Sequence, residues 1–282
     1  MGLESGNVFD GLRYLLRLSR PRFWLYLAGP AVLGAVLGGN SVDDLLSPTP
    51  AFLVLYFLIP ANVMLYGVND YFDRGIDEEN PKKEAKESVY RRSRWVDAVV
   101  GVSLLVTVGL TVALGSPVMA AFVFLSVGYS APPLRFKTKP FLDSLSNGLY
   151  ILPFVVSHVA VAGEYPPALT VAGGWLWTMA MHTFSAIPDI QPDRRAGIRT
   201  TATFLGRRRT YVYCTAVWLL SAVTVGVWNS RLGGVILVYP VLSTAFYVSN
   251  LTDSEAYWYY PYINSLVGMV LTLAGLLRLP DV

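Results

Sequence analysis

Asn69, Asp70, Asp73 and Asp77 carry the first chemistry in the chain, in the run Asn-Asp-Tyr-Phe-Asp-Arg-Gly-Ile-Asp at residues 69–77. The carboxylates fall at i, i+3 and i+7, so a helix here presents all three on one face. The run follows an apolar stretch, Ala51 to Val68, that reads as a membrane span. Carboxylates gathered at a membrane edge repel one another and are costly to desolvate, so a cation should compensate them. Mg²⁺ is the simplest candidate, because it takes hard oxygen ligands and bridges to phosphate oxygens. A solvated acidic helix end would need no metal.

Asp189 and Asp193 form a second cluster in Ala186-Ile187-Pro188-Asp189-Ile190-Gln191-Pro192-Asp193. Their i, i+4 spacing allows a shared helix face, but Pro192 predicts either a break or a first-turn geometry. Arg194, Arg195 and Arg199 follow at once. The two clusters lie roughly 120 residues apart, each at the end of an apolar run. Together they suggest two metal ions facing each other over a polyanion such as a diphosphate, with Arg or Lys taking the remaining charge. A third group, Tyr129 to Lys137, carries Arg135 and Lys137 on a proline-stiffened loop that would bring two cations to the same mouth. His158 and His182 are the only histidines. His182 stands seven residues before Asp189, two turns deeper, where it could relay a proton or position water. The single cysteine, Cys214, reads as a small packing residue.

The elements that must position these groups are helices in a membrane. The chain has 282 residues, 54% of them hydrophobic and 15% charged, with a mean hydropathy of +0.46. That is too apolar for a soluble domain of this size, and predicts one polytopic all-α bundle over residues 1–282. Residues 1–22 are basic and amphipathic, as an interfacial segment would be. Nine spans follow, roughly at 23–39, 51–69, 96–114, 118–131, 143–162, 168–187, 211–228, 233–250 and 257–277. With that count, all of the 22 lysines and arginines except Arg231 and Arg278 fall on one side. The positive-inside rule makes that side cytoplasmic, with the N-terminus inside and the C-terminus outside. Most of these basic residues read as topology signals against lipid, and no nucleic-acid partner is expected.

These residues together resemble the UbiA-type intramembrane prenyltransferases. Asn69, Asp70, Asp73 and Asp77 match the family's N-D-x-x-D-x-x-x-D, and Asp189 and Asp193 match its D-x-x-x-D. The resemblance implies helices around a central chamber under a cytoplasmic polar cap, two Mg²⁺ ions and a prenyl diphosphate donor. It also implies a lateral opening for lipid-like substrates. Asn80-Pro81-Lys82-Lys83, and Tyr129 to Lys137 followed by Asp143 to Gly148, look like the lycopene elongase branch. That branch implies transfer of a C5 unit from dimethylallyl diphosphate to lycopene, with hydration of the terminal double bond as a further activity. Quinone, haem and archaeal ether-lipid prenyltransferases remain alternatives within the family.

On this reading Asp70, Asp73, Asp77, Asp189 and Asp193 are the metal ligands, and Asn69 adds an amide oxygen or hydrogen bond. Arg135, Lys137, Arg194 and Lys83 take the diphosphate. Tyr66, Tyr150, Phe154 and His182 are expected along the chamber, with Trp177 and Phe184 at comparable depth, because aromatic faces stabilise an allylic cation. A transporter is the rival from another class. It predicts charge near the membrane midplane and repeated broken helices, whereas here the acidic clusters sit at span ends on one side.

Overall fold

The computed structural model describes residues 8–77 and 94–280, and its regular elements are all helical. They are α1 (Val8–Leu18), α2 (Trp24–Gly38), α3 (Val42–Leu46), α4 (Pro48–Leu58), α5 (Pro60–Asp77), α6 (Arg94–Leu114) and α7 (Pro117–Ser130). Then follow α8 (Leu142–Leu145), α9 (Leu152–Ala162), α10 (Ala168–Ser185), α11 (Ile190–Arg195) and α12 (Thr201–Leu205). The last four are α13 (Arg207–Trp228), α14 (Ser230–Ile236), α15 (Val238–Val248) and α16 (Asp253–Leu276). Short 3₁₀ turns occupy Pro21–Phe23, Phe136–Thr138 and Ser146–Ile151.

A helix falls on every segment expected to span. By length and composition, five stretches among the described residues suit a membrane crossing: Pro48–Asp73, Trp95–Leu114, Leu142–Ala162, Arg207–Trp228 and Ser230–Val248. Leu55, Leu105, Val112 and Val227 are exposed on their surfaces, as side chains facing lipid would be.

The second expected span is not one continuous helix. Pro60 has no N–H to continue α4, so the chain breaks at Ile59 and restarts as α5. Asn62 repairs the break: its Nδ2 donates to the carbonyls of Phe57 at 2.8 Å and Leu58 at 3.0 Å. In an apolar medium such freed carbonyls must find a donor. The restarted helix runs on to Asp77, which makes residues 69–77 its last turns.

Two cores form, one centred on α2, α4, α5 and α7, the other on α10, α13, α15 and α16. In the first, α2 lies directly against α9. A Cβ on Gly34 would stand 2.1 Å from the Phe154 carbonyl oxygen, and one on Gly38 would stand 3.0 Å from that of His158. Small residues four apart let two backbones meet in this way without side chains between them. Backbone at that distance cannot step aside, so Gly34→Ala should cost about 3 kcal/mol or more. Thermal unfolding in detergent would show it as a lowered midpoint. An unchanged midpoint would mean that α2 and α9 do not touch at Gly34.

Candidate active site

The end of α5 brings Asn69, Asp70 and Asp73 against two basic segments. Asp70 is buried, and its Oδ1 accepts from Arg20 Nη2 at 2.8 Å. Arg20 follows α1 and has φ 51°, in the left-handed region. Its guanidinium also lies over the Tyr66 ring, 4.6 Å from the centroid. Asp73 is held by Lys137 Nζ through its Oδ2, and by Arg135 Nη2 at 3.6 Å from Oδ1. Arg135 too is left-handed, at φ 44°. Among the described residues only Arg20, Arg135 and Phe141 are non-glycines with positive φ. Two of those three therefore hold Asp70 and Asp73. Such a backbone costs about 1–2 kcal/mol, a strain that tends to gather where function fixes a side chain.

Lys137 ties the rest together. Its Nζ donates to Asn69 Oδ1 at 2.9 Å and to Ser130 Oγ at 3.1 Å. Ser130 Oγ in turn donates to Asn69 Oδ1 at 2.7 Å. The loop carrying Arg135 and Lys137 is pinned beyond its end. The buried carboxylate of Asp143 accepts from the Thr201 backbone N–H at 2.8 Å and from the Thr201 hydroxyl, and Thr201 Oγ1 accepts from the Phe141 N–H at 2.7 Å.

The second cluster takes the first-turn geometry. After α10 the chain makes tight turns, with Ile187 N–H bonded to Phe184 O at 3.0 Å and Asp189 N–H to Ala186 O at 3.2 Å. Asp189 then precedes α11, and the Asp193 N–H returns to Asp189 O at 2.8 Å. Pro192 is the third residue of α11, where an N–H has no partner within the helix anyway. The proline therefore fits the helix, and Asp189 and Asp193 both face one cavity.

That cavity, of about 620 Å³, lies between the two cores. Asn69, Asp189 and Asp193 line it beside Arg20 and Arg22. Its aromatic wall includes Tyr26, Tyr66, Tyr150 and Trp177, and its polar groups include Tyr129, Asn147, Thr178, His182 and Ser185. Asp70 and Asp73 stand just behind, reached through Arg20 and Lys137.

Some expected residues sit elsewhere. Arg194 does not face the cavity: its Nε and Nη2 donate to Thr203 O at 3.2 and 2.8 Å, at the end of α12 where helix carbonyls lack amide partners. Phe154 is not on the wall, because the α2–α9 contact buries it beside the His158 ring. Phe184 is enclosed by Tyr211, Trp218 and Tyr260. The Asp77 side chain and Lys83 lie outside the described residues. Arg20 was legible only as one charge in a basic segment, and no signal in the sequence joined it to Asp70. Tyr26 gave no signal either, and Asn147 was legible only as part of the Asp143 to Gly148 resemblance.

The donor set suits Mg²⁺ and a diphosphate. The carboxylate and amide oxygens are hard ligands. Asp73 Oδ1 is buried and accepts no hydrogen bond, while Arg135 Nε beside it is buried and donates none. Both residues are ion-paired, yet each keeps a polar atom with hydrogen-bonding capacity to spare, one for a cation's shell and one for an anion. Among the described residues no three His, Cys, Asp or Glu side chains gather at one point. Mg²⁺ commonly takes only one or two carboxylates and completes its shell with phosphate oxygens and water.

The model of the UbiA prenyltransferase family matches residues 27–260. A Haloferax volcanii protein named lycopene elongase/hydratase is 54% identical over 281 residues, 99% of this chain and 93% of that protein. A Halobacterium salinarum protein of the same name is 54% identical over 267 residues, 94% of this chain and 97% of that protein. Among solved structures, a UbiA homologue from Archaeoglobus fulgidus bound to DMAPP and Mg²⁺ aligns with TM-score 0.69 at 19% identity. The alignment covers 94% of this chain and 100% of that one.

Proposed function

From the premise that the chain belongs to the UbiA prenyltransferase family, we propose that it adds a C5 unit from dimethylallyl diphosphate to lycopene and hydrates the terminal double bond. The chain is a membrane-embedded prenyltransferase, and the proposal supplies its donor, acceptor and site. The observation that carries the site is the meeting of Asn69, Asp189 and Asp193 on one cavity, with Asp70 and Asp73 at its edge. The acceptor rests on the names of relatives 54% identical over nearly the whole chain.

Asp70, Asp73, Asp189 and Asp193 would hold two Mg²⁺ ions, with Asp77 as a further ligand. When bound, Mg²⁺ neutralises phosphate charge and makes diphosphate a better leaving group. Arg20, Arg135 and Lys137 exchange their carboxylate partners for the diphosphate and take up the negative charge that grows on it as the allylic C–O bond breaks. Asn69, fixed by Ser130 and Lys137, orients the same oxygens. Tyr26, Tyr66, Tyr150 and Trp177 offer ring faces to the allylic cation and keep water from it. The terminal double bond of lycopene attacks that cation, forming a C–C bond and leaving a tertiary cation on the acceptor. Nine crossings in one domain would put this site at the cytoplasmic face, with the N-terminus inside and the C-terminus outside.

Incubating membranes with labelled dimethylallyl diphosphate and lycopene tests the reading. The expected product is the carotenoid with one C5 unit added at each end. Label appearing in phenols, haem or glycerol lipids, with lycopene untouched, would overturn the acceptor.

A further inference from the structure

We propose that Tyr129 and His182 form the water-activating pair that turns the alkylated acceptor into an alcohol rather than an alkene. The inference rests on the elongase and hydratase reading above and assigns residues to its second half. The tertiary cation left by alkylation has two exits. It can lose a proton from a neighbouring carbon, giving an alkene, or it can bond to water oxygen, giving an alcohol. The second exit needs a water held in an apolar chamber and a group to accept its proton.

Most polar groups on the cavity wall are already committed. The Tyr66 and Tyr150 hydroxyls face each other at 3.4 Å, without a nitrogen base. Tyr26 OH accepts from Asn264 Nδ2 at 3.0 Å. Thr178 Oγ1 donates to Trp175 O at 2.8 Å, and Ser185 Oγ to His182 O at 2.7 Å. Asn147 Nδ2 donates to Asp143 O at 2.6 Å. Tyr129 is different, because its hydroxyl meets His182 Nε2 at 3.3 Å and both residues line the cavity. The other histidine, His158, bonds Glu164 O at 3.1 Å and is not on the wall. Among the described residues, Tyr129 and His182 thus make the one hydroxyl–imidazole pair facing the chamber.

The step balances with water as the only added reactant. Water oxygen forms the C–O bond, and one water proton passes to the Tyr129 oxygen. The Tyr129 proton moves to Nε2 of neutral His182, which becomes an imidazolium. Burial makes that charge costly, and the buried carboxylate of Asp143 is the nearby opposite charge that reduces the cost. The proton then leaves with the diphosphate.

The test is the ratio of hydroxylated to unhydrated C5-extended carotenoid, read by mass spectrometry after reaction in ¹⁸O-labelled water. Because both products come from one sample, a loss of folded enzyme cancels from the ratio. Tyr129→Phe and His182→Gln should each lower the ratio by about tenfold or more, a part of the roughly 10²–10⁴-fold that a positioned acid–base group contributes to a rate, while lycopene is still consumed. His158→Gln, outside the cavity, should leave the ratio unchanged. A ratio unmoved in both cavity variants overturns the inference, as does a parallel fall of the two products. A wild-type enzyme that extends lycopene and makes only alkene overturns it too, with the elongase reading intact. A wild-type enzyme that adds nothing to lycopene overturns the elongase reading instead.

Discussion

Asp70→Ala and Asp189→Ala should each lower kcat/KM for C5 transfer by about 10³-fold or more, the scale of removing one preorganised electrostatic contact to a developing charge. The two residues come from α5 and from the turn before α11, far apart in sequence. Equal sensitivity at both therefore means one shared site. The two substitutions differ in their structural cost. Asp70 pairs with Arg20, and removing the carboxylate leaves a guanidinium with little solvent contact, so Asp70→Ala should also destabilise the protein. Asp70→Asn keeps a hydrogen-bond acceptor for Arg20 and removes only the charge. Its activity should fall as far while its thermal midpoint in detergent stays near wild type. Activity near wild type in Asp189→Ala would sink the two-cluster site.

Lys137→Met should lower kcat/KM by about 10²–10³-fold, because one ammonium serves three partners. Its Nζ contacts Asp73, Asn69 and Ser130 together. Breaking a buried ion pair costs about 3–5 kcal/mol. Asp73 keeps Arg135 at 3.6 Å and some solvent contact, which reduces the expected loss of stability to about 2 kcal/mol. Lys137→Arg should not restore the rate: a planar fork cannot replace a compact ammonium shared by three oxygens. Steady-state rates on both variants check this, and full activity in Lys137→Arg would argue that only the charge matters.

The helical membrane fold and the two acidic clusters were legible because they follow from local pattern. Apolar runs of span length and carboxylates at i, i+3 and i+7 are read over a few turns of chain. What joins distant segments was not. Arg20 reaches Asp70 across 50 residues through a left-handed turn that no pattern before Pro21 announces. Arg194 sits beside the second cluster in sequence, yet it turns to Thr203, because a helix end nearby left a carbonyl open. Phe154 was placed on the chamber by depth alone, and the glycines of α2 draw it onto that helix instead. Depth along a span is readable from sequence, whereas rotation about the helix axis depends on the neighbours.

The charge arrangement in this structure sharpens the mechanism. Both described carboxylates of the first cluster are held by cations, from Arg20 on one side and from Arg135 and Lys137 on the other. On the proposed reading substrate would arrive with its own cations, so that the carboxylates and the basic side chains exchange partners together. Metal and diphosphate should accordingly bind as a unit.

That cooperativity is the most direct test of the central claim, that two carboxylate clusters form one metal–diphosphate clamp. Mn²⁺ can stand in for Mg²⁺ and be counted by electron paramagnetic resonance on detergent-solubilised protein, with and without a thiolo analogue of dimethylallyl diphosphate that does not ionise. Two ions per chain are predicted with the analogue and weaker binding without it, falling to one ion in either Asp70→Ala or Asp189→Ala. Two ions retained in Asp189→Ala, or a stoichiometry indifferent to the analogue, would contradict the account.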